Sequence, residues 1–266
     1  MTISVAIHGA SGRMGQRVIA LGVTTPGQKI IAALEASGNL RLGLDAGEVA
    51  GIERLGFNLT DHLPASIHPD VLIDFSIPEA LERVLNLAVK NSIPLVIATT
   101  GLNKFQQLEI DSASHHVAIL QASNFSLVVN LLFELTRQAS IMLAGKNFDA
   151  EIIERHHRFK KDSPSGTALS FAGIIQREMG QRNLVHGREG LIGERPVDEI
   201  GIHAVRVGDN VGEHTIIFST LGETMELVHR GHSRDSYALG ALAAARFLAG
   251  KPAGSYSMRD ILGIGT

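Results

Sequence analysis

The sequence predicts an α/β protein in two parts: an N-terminal parallel sheet covered by helices, then a smaller α+β part with a mixed or antiparallel sheet. Three observations predict it. Short apolar runs of strand length recur through the first half, at Ile3–Ile7, Ile30–Leu34, Val71–Phe75, Leu95–Ala98 and Val117–Leu120. Longer amphipathic stretches separate several of them, the pattern of a parallel sheet with helices on both faces. The second half changes to strand candidates joined by glycine turns.

In order, Ile3–Ile7 is continuously apolar, as a strand buried on both faces must be, and the helical spacing of Val18, Ile19 and Leu21 follows it. In Pro78–Asn91 the apolar residues Leu81, Val84, Leu85 and Ala88 recur on one helix face, and Pro78 suits the first turn, where no N–H is needed. The long apolar stretch Phe125–Ala144 reads as the helix that leads into the second half. There, Phe148–Glu154 is a strand, Ala168–Ile175 an apolar helix, and Gly180–Pro196 a long loop rich in glycine and charge. Ile200–Val207, Glu213–Ser219 and Thr224–Val228 read as a meander, expected to be antiparallel, with turns at Gly208-Asp209-Asn210 and Gly222-Glu223. Asp235–Ala249 is an apolar helix that stops at Gly250, with Pro252 just beyond. The expected domains are 1–127 with a C-terminal return at 238–266 for a dinucleotide, and 128–237 for substrate binding and oligomerisation.

Composition narrows the function. A chain of 266 residues with 44% hydrophobic content buries full cores without staples. Its formal net charge of −3 gives no bulk attraction to nucleic acid, and any small anion needs a local basic cluster. The absence of cysteine excludes a disulfide scaffold, a thiolate nucleophile and a cysteine zinc site. No apolar run approaches the ~18–20 residues of a membrane span. The first residues carry neither a basic n-region nor a cleavage pattern, so a cytoplasmic protein is expected.

Gly9-Ala10-Ser11-Gly12-Arg13-Met14-Gly15 follows a strand and opens a helix, the context of a dinucleotide fingerprint. Glycines admit the pyrophosphate to the backbone, and the helix N-terminus offers free N–H groups. The spacing is G-x-x-G-x-x-G, weak by itself. Glu35 strengthens it: a carboxylate that ends the second strand accepts from the adenine ribose hydroxyls. This predicts a Rossmann domain and an NAD(P)-dependent oxidoreductase. Ala36 follows Glu35 where a cation would serve a 2′-phosphate, so NADH is favoured over NADPH, with Arg13 and Arg41 able to soften the preference. Ala98-Thr99-Thr100-Gly101 and Ala122-Ser123-Asn124-Phe125 fall at carboxyl ends of strands, where ligands bind, although ordinary turn chemistry accounts for either alone.

Glu154-Arg155-His156-His157-Arg158-Phe159-Lys160-Lys161 is the densest positive cluster, and Ser165-Gly166-Thr167 after it opens the next helix. A hydroxyl–glycine–hydroxyl turn there suits a carboxylate or phosphate. Together they describe a pocket for a small polyanion, with His156 and Lys160 as candidate proton donors. A solvated basic face competes with this reading. A nucleic-acid patch is disfavoured by the single aromatic and the acidic chain, and a metal site by the missing H-E-x-x-H pattern. The pair His115-His116, without basic neighbours, reads as plain surface.

These motifs together resemble the dihydrodipicolinate reductase (4-hydroxy-tetrahydrodipicolinate reductase) family of the diaminopimelate route to lysine. The resemblance runs nearly end to end. It includes Glu-x-His-His-x-x-Lys at 154–160, Arg188-Glu-Gly with Gly193-Glu-Arg195, and Gly208-Asp with Gly212-Glu-His214-Thr. It implies His156 as catalytic histidine, Lys160 as proton-donating lysine, and His157, Ser165, Gly166 and Thr167 as binders of a small dicarboxylate. It implies cofactor contacts at Gly9, Ala10, Ser11, Gly12, Arg13, Met14, Glu35, Ala98, Thr99, Thr100, Ala122, Ser123, Asn124 and Phe125, and a homotetramer without metal. The chain departs from the family pattern at Ala36, where many members have Arg, and at Ala98, where many have Gly. An amino-acid or semialdehyde dehydrogenase of similar plan, or a non-catalytic dinucleotide sensor, are the alternatives.

Overall fold

The computed structural model describes residues 2–264. It divides into two compact units, one running to Leu127 and resuming at Asp235, the other Val128–Arg234. The return therefore starts at Asp235 rather than 238.

The first unit contains β1 (Ile3–His8), α1 (Arg13–Thr24), β2 (Gln28–Leu34), α2 (Ala46–Ala50), β3 (Leu59–Thr60), β4 (Val71–Asp74), α3 (Leu81–Lys90), β5 (Leu95–Ile97), α4 (Lys104–Ser114) and β6 (Ala118–Gln121). After the second unit the chain adds α7 (Asp235–Leu248), β12 (Gly254–Tyr256) and α8 (Met258–Ile261). The seven strands pair in the order β12-β6-β5-β4-β1-β2-β3, every pair parallel. The order reverses between β1 and β4, the switch point at which a doubly wound sheet opens a crevice.

Alternation along β1 explains the two covered faces. Val5 and Ile7 join Val18 and Ile19 of α1 and Leu242 of α7 in one core. Ala6 faces the other way, onto Leu81, Val84 and Leu85 of α3 and Ile110 of α4. Pro78 opens a short 3₁₀ turn, and α3 continues from it. The return helix is fixed to α1 by Arg17, whose guanidinium donates twice to Asp235 at 2.8 Å. Gly240 of α7 lies so close to the Phe125 carbonyl that an added Cβ would collide with it.

The second unit contains α5 (Leu127–Leu143, whose first residue closes the first unit), β7 (Asp149–His156), α6 (Gly166–Met179), β8 (Asn183–Val185), β9 (Glu199–Arg206), β10 (Gly212–Thr220) and β11 (Glu223–Gly231). Its sheet runs β11-β10-β7-β9-β8. Phe171 of α6 and Phe218 of β10 are fully buried beside Ile152 and Leu132, each contributing about 3 kcal/mol.

Three expectations need correction. The expected antiparallel meander holds only for β10 and β11; β9 instead pairs parallel with β7, on the side away from β10. The segment expected as a loop, Gly180–Pro196, contains β8, parallel to β9. A parallel neighbour requires a crossover, and α6 with this segment supplies it. Finally, α2, β3, α4, β12 and α8 were not expected as elements; the two strands among them are edge or near-edge pieces of two or three residues, too short for a periodic signal.

Candidate active site

In the first unit, the turn after β1 assigns its glycines separate tasks. Gly9 has φ +72, and a Cβ there would stand 2.6 Å from the Phe75 carbonyl oxygen. Gly15, buried in α1, lets the helix press onto the Gly9 carbonyl. Gly12 is the N-cap of α1, extended and without a side-chain cap, and no acid stands in the first turn. The helix N-terminus is left open for an anion. Arg13 is exposed beside it, while Met14 packs on the core.

Glu35 is held by two amides, Ser11 N–H to Oε2 and Ala36 N–H to Oε1, both 2.9 Å. Burial would raise its pKa, but these bonds outweigh burial and hold the carboxyl below its usual range. Arg41 donates to the Ser11 carbonyl at 3.2 Å, and Asn39 to the Ser11 hydroxyl at 3.0 Å. A cleft of about 230 Å³ opens here, with His8, Gly12, Glu35, Ala36, Ile77 and Arg83 among its walls. The loops 98–100 and 122–125 follow β5 and β6 at the same carboxyl edge of the sheet.

Not every expected side chain faces outward in these loops. The Thr99 hydroxyl donates to Asp74 Oδ2 at 2.6 Å and is buried, whereas Thr100 and Ser123 are exposed. The Phe125 ring is buried against Phe75, centroids 6.2 Å apart, and Asn124 Oδ1 accepts from the Ser126 amide.

In the second unit, β7 alternates so that Ala150, Ile152, Glu154 and His156 share the buried face. The strand thus ends its apolar stripe in a carboxylate and an imidazole. Glu154 is fully buried and accepts four bonds. His156 Nδ1 lies 2.6 Å from Oε2, Arg206 donates to both oxygens at 2.7 and 2.8 Å, and the Ser165 amide donates at 3.0 Å. Burial would raise the Glu154 pKa, but His156, Arg206 and the Ser165 amide bring it down to about 2. The carboxylate fixes the Nδ1 edge of His156 and leaves Nε2 for other partners.

Ser165 caps α6, accepting from the Ala168 amide at 3.2 Å, and its hydroxyl lies 3.4 Å from His214 Nε2. Its side chain is therefore spent within the protein. Gly166 after it is exposed, and a Cβ there would meet nothing. His214 stands edge-on to His156 at 5.3 Å; burial, then the neighbouring His156 and His229, lower its pKa to about 3. Lys160 Nζ pairs with Asp162 at 2.8 Å, and Arg234 approaches His157 Nε2 at 3.4 Å. His115 and His116 are exposed.

Glu154, Arg206 and His214 stood in sequence without an assigned role. Glu154 was legible as the strand partner of His156 two residues on. Arg206 was not, because only the parallel register, His156 opposite Arg206, brings it there.

A doubly wound sheet with an open glycine turn in one unit, and a histidine and a lysine in a basic cluster in the other, define a pyridine-nucleotide-dependent oxidoreductase. Residues 3–125 match the model described as dihydrodipicolinate reductase, N-terminus, and residues 128–262 the one described as dihydrodipicolinate reductase, C-terminus. A 4-hydroxy-tetrahydrodipicolinate reductase of Rhodopirellula baltica is 45% identical, covering 98% of this chain and 96% of its own. One of Pseudoalteromonas atlantica is also 45% identical, covering 98% of each. The solved dipicolinate-bound dihydrodipicolinate reductase of Paenisporosarcina sp. TG-14 superposes with TM-score 0.77 at 25% identity, covering 97% of this chain and 98% of that one. The chain belongs to the dihydrodipicolinate reductase family.

Proposed function

We propose that this chain reduces 4-hydroxy-tetrahydrodipicolinate to tetrahydrodipicolinate with NADH or NADPH, in the diaminopimelate route to lysine. The observation that carries the reading is His156, fixed at the end of β7 by a carboxylate with no exposure to water, on a strand that leads directly to Lys160 and the N-terminus of α6.

The first unit is the dinucleotide-binding domain. Its glycine turn leaves the N-terminus of α1 without a side-chain cap and without an acid in the first turn, so the residues fit a pyrophosphate. The backbone of Gly9 to Met14 holds it, Glu35 accepts from the adenine ribose, and the loops Ala98–Thr100 and Ala122–Phe125 hold the nicotinamide end. Phe125 and Thr99 act there through the backbone they position, since their side chains are engaged internally. When bound, the dihydronicotinamide supplies a hydride. Glu35 disfavours a 2′-phosphate and Ala36 offers it no cation, which favours NADH. Arg41, bonded to the Ser11 carbonyl, and Arg83, which lines the cleft and is bonded to the Asp61 carbonyl, keep NADPH usable.

The second unit is the substrate domain. The substrate is a cyclic imine with two carboxylates, and His157, Gly166 and Thr167 take those carboxylates at the start of α6. After loss of water and hydride addition at the ring C4, negative charge develops on the ring nitrogen. Lys160 gives that nitrogen a proton, and His156 stabilises the charge through Nε2. Glu154 is a positioning residue: it holds His156 in one orientation and compensates positive charge on the ring. His214, neutral by burial, sets the packing behind His156 without adding a competing cation.

Assembly is proposed as a homotetramer through the second unit. β11, nine residues long, is an edge strand with exposed Met225 and Val228, an edge that soluble proteins cover. The family chemistry and the cysteine-free composition suit the cytoplasm. No helix among the described residues is long and apolar enough to cross a membrane.

The test is Lys160→Ala. NADH affinity should stay at the wild-type value while kcat falls by about 100-fold or more. Unchanged turnover would remove Lys160 from the reaction.

A further inference from the structure

The chemistry above leaves several buried titratable side chains unused, and among them His8 lines the cleft of the glycine turn. His8 ends β1 with only 5% of its surface exposed, among apolar strand neighbours. Its Nδ1 lies 2.7 Å from Oδ1 of Asp74, at the end of the adjacent strand β4. Asp74 is fully buried, and its other oxygen accepts from Thr99. The pair thus sits at the carboxyl ends of the two central strands, where the strand order reverses.

With Nδ1 committed to Asp74, the Nε2 edge has no protein partner among the described hydrogen bonds, and the ring forms part of the wall of the cleft beside Gly9, Gly12 and Glu35. An apolar residue would fill this strand position without burying an imidazole and a carboxylate, which is costly unless both are used. The charged groups around the ring are Asp74 on β4, Glu35 after β2 and Arg83 on α3; the turn contributes neutral Gly9, Ser11 and Gly12 to the cleft. Two carboxylates against one guanidinium leave a negative surround, which a phosphate enters readily only with a further cation beside it.

We propose that His8 is a dinucleotide-binding residue: held by Asp74 through Nδ1–H, it donates Nε2–H to a phosphate oxygen of the cofactor, so that binding takes up a proton. The inference rests on the cofactor reading of the glycine turn and adds to it a side-chain cation from the strand itself. The open N-terminus of α1 then shares the pyrophosphate charge with the His8–Asp74 pair. The proton taken up resides on the imidazole, and its positive charge offsets one phosphate charge.

The test is calorimetric titration of the full-length protein with NADH, in buffers of different ionisation heat and at several pH values. Wild type should take up protons on binding and lose affinity as pH rises. His8→Asn should bind about tenfold more weakly, as expected for a lost charge-assisted hydrogen bond, and lose the proton uptake. Equal affinity and equal proton uptake in the variant would overturn the proposal, and so would weaker binding with proton uptake unchanged. The wild-type proton count stands without any variant: binding that takes up no protons at any pH overturns the proposal even if His8→Asn fails to fold. Failure of wild type to bind NADH or NADPH at all would instead reject the cofactor reading itself.

Discussion

Replacing Glu154 with glutamine keeps the shape of the side chain and removes its charge. Four donors converge on the two carboxylate oxygens: Arg206 twice, His156 Nδ1 and the Ser165 amide. An amide nitrogen in place of either oxygen turns two of those four contacts into donor against donor. Bonds to charged groups are worth about 1.5–3 kcal/mol each, so Glu154→Gln should destabilise the second unit by about 3–5 kcal/mol, the range for breaking a buried ion pair. The pH dependence has a definite sign. The native carboxyl titrates at about 2 against a reference of 4.5. Its stabilisation is therefore complete above the reference value and is lost as pH falls towards 2, and the stability gap between wild type and variant should close over that interval. Turnover should drop about 100-fold or more, because glutamine cannot compensate a positive imidazole. The KM for NADH should hold, since its cradle lies in the other unit. Urea unfolding across pH, with steady-state kinetics at neutral pH, reads all three. Wild-type turnover in a folded variant, or a stability gap that widens in acid, would refute the reasoning.

Two further outcomes follow from the same geometry. Ala36→Arg supplies the missing cation beside Glu35 and should shift the NADPH/NADH affinity ratio towards NADPH by about tenfold or more, as read by fluorescence titration; an unmoved ratio would mean that selectivity is set elsewhere. Light scattering should give four times the 28.4 kDa protomer mass, and a charged pair at Met225 and Val228 on the β11 edge should lower it; a monomer in wild type would remove the assembly proposal.

What the sequence made legible was local. The glycine turn, the strand before it and the acid that ends β2 announce themselves through turn chemistry and periodicity within a few residues. The basic cluster and the capped start of α6 were equally visible. What it concealed was pairing. Arg206 reaches Glu154 only because β9 runs parallel to β7, and the apolar pattern of β9 reads equally well as an antiparallel strand. The three residues of β8 are half-buried or exposed and leave no alternation to detect. Hydroxyl direction was hidden as well. Thr99 and Ser165 look ligand-facing in a motif, yet one hydroxyl is spent on Asp74 and the other on capping α6. His8 carried no signal, because a histidine that ends an apolar strand becomes conspicuous only when Asp74 is found at its side.

The central claim, a nicotinamide-dependent reduction of a cyclic dicarboxylate imine, is tested most directly by a coupled assay. Aspartate semialdehyde, pyruvate and the upstream synthase generate the substrate in place, and the oxidation of NADH or NADPH is followed on adding this protein. Oxidation that requires all three components, with NADH the better donor, is the predicted result. No oxidation of either nucleotide above the synthase-only background would contradict the account.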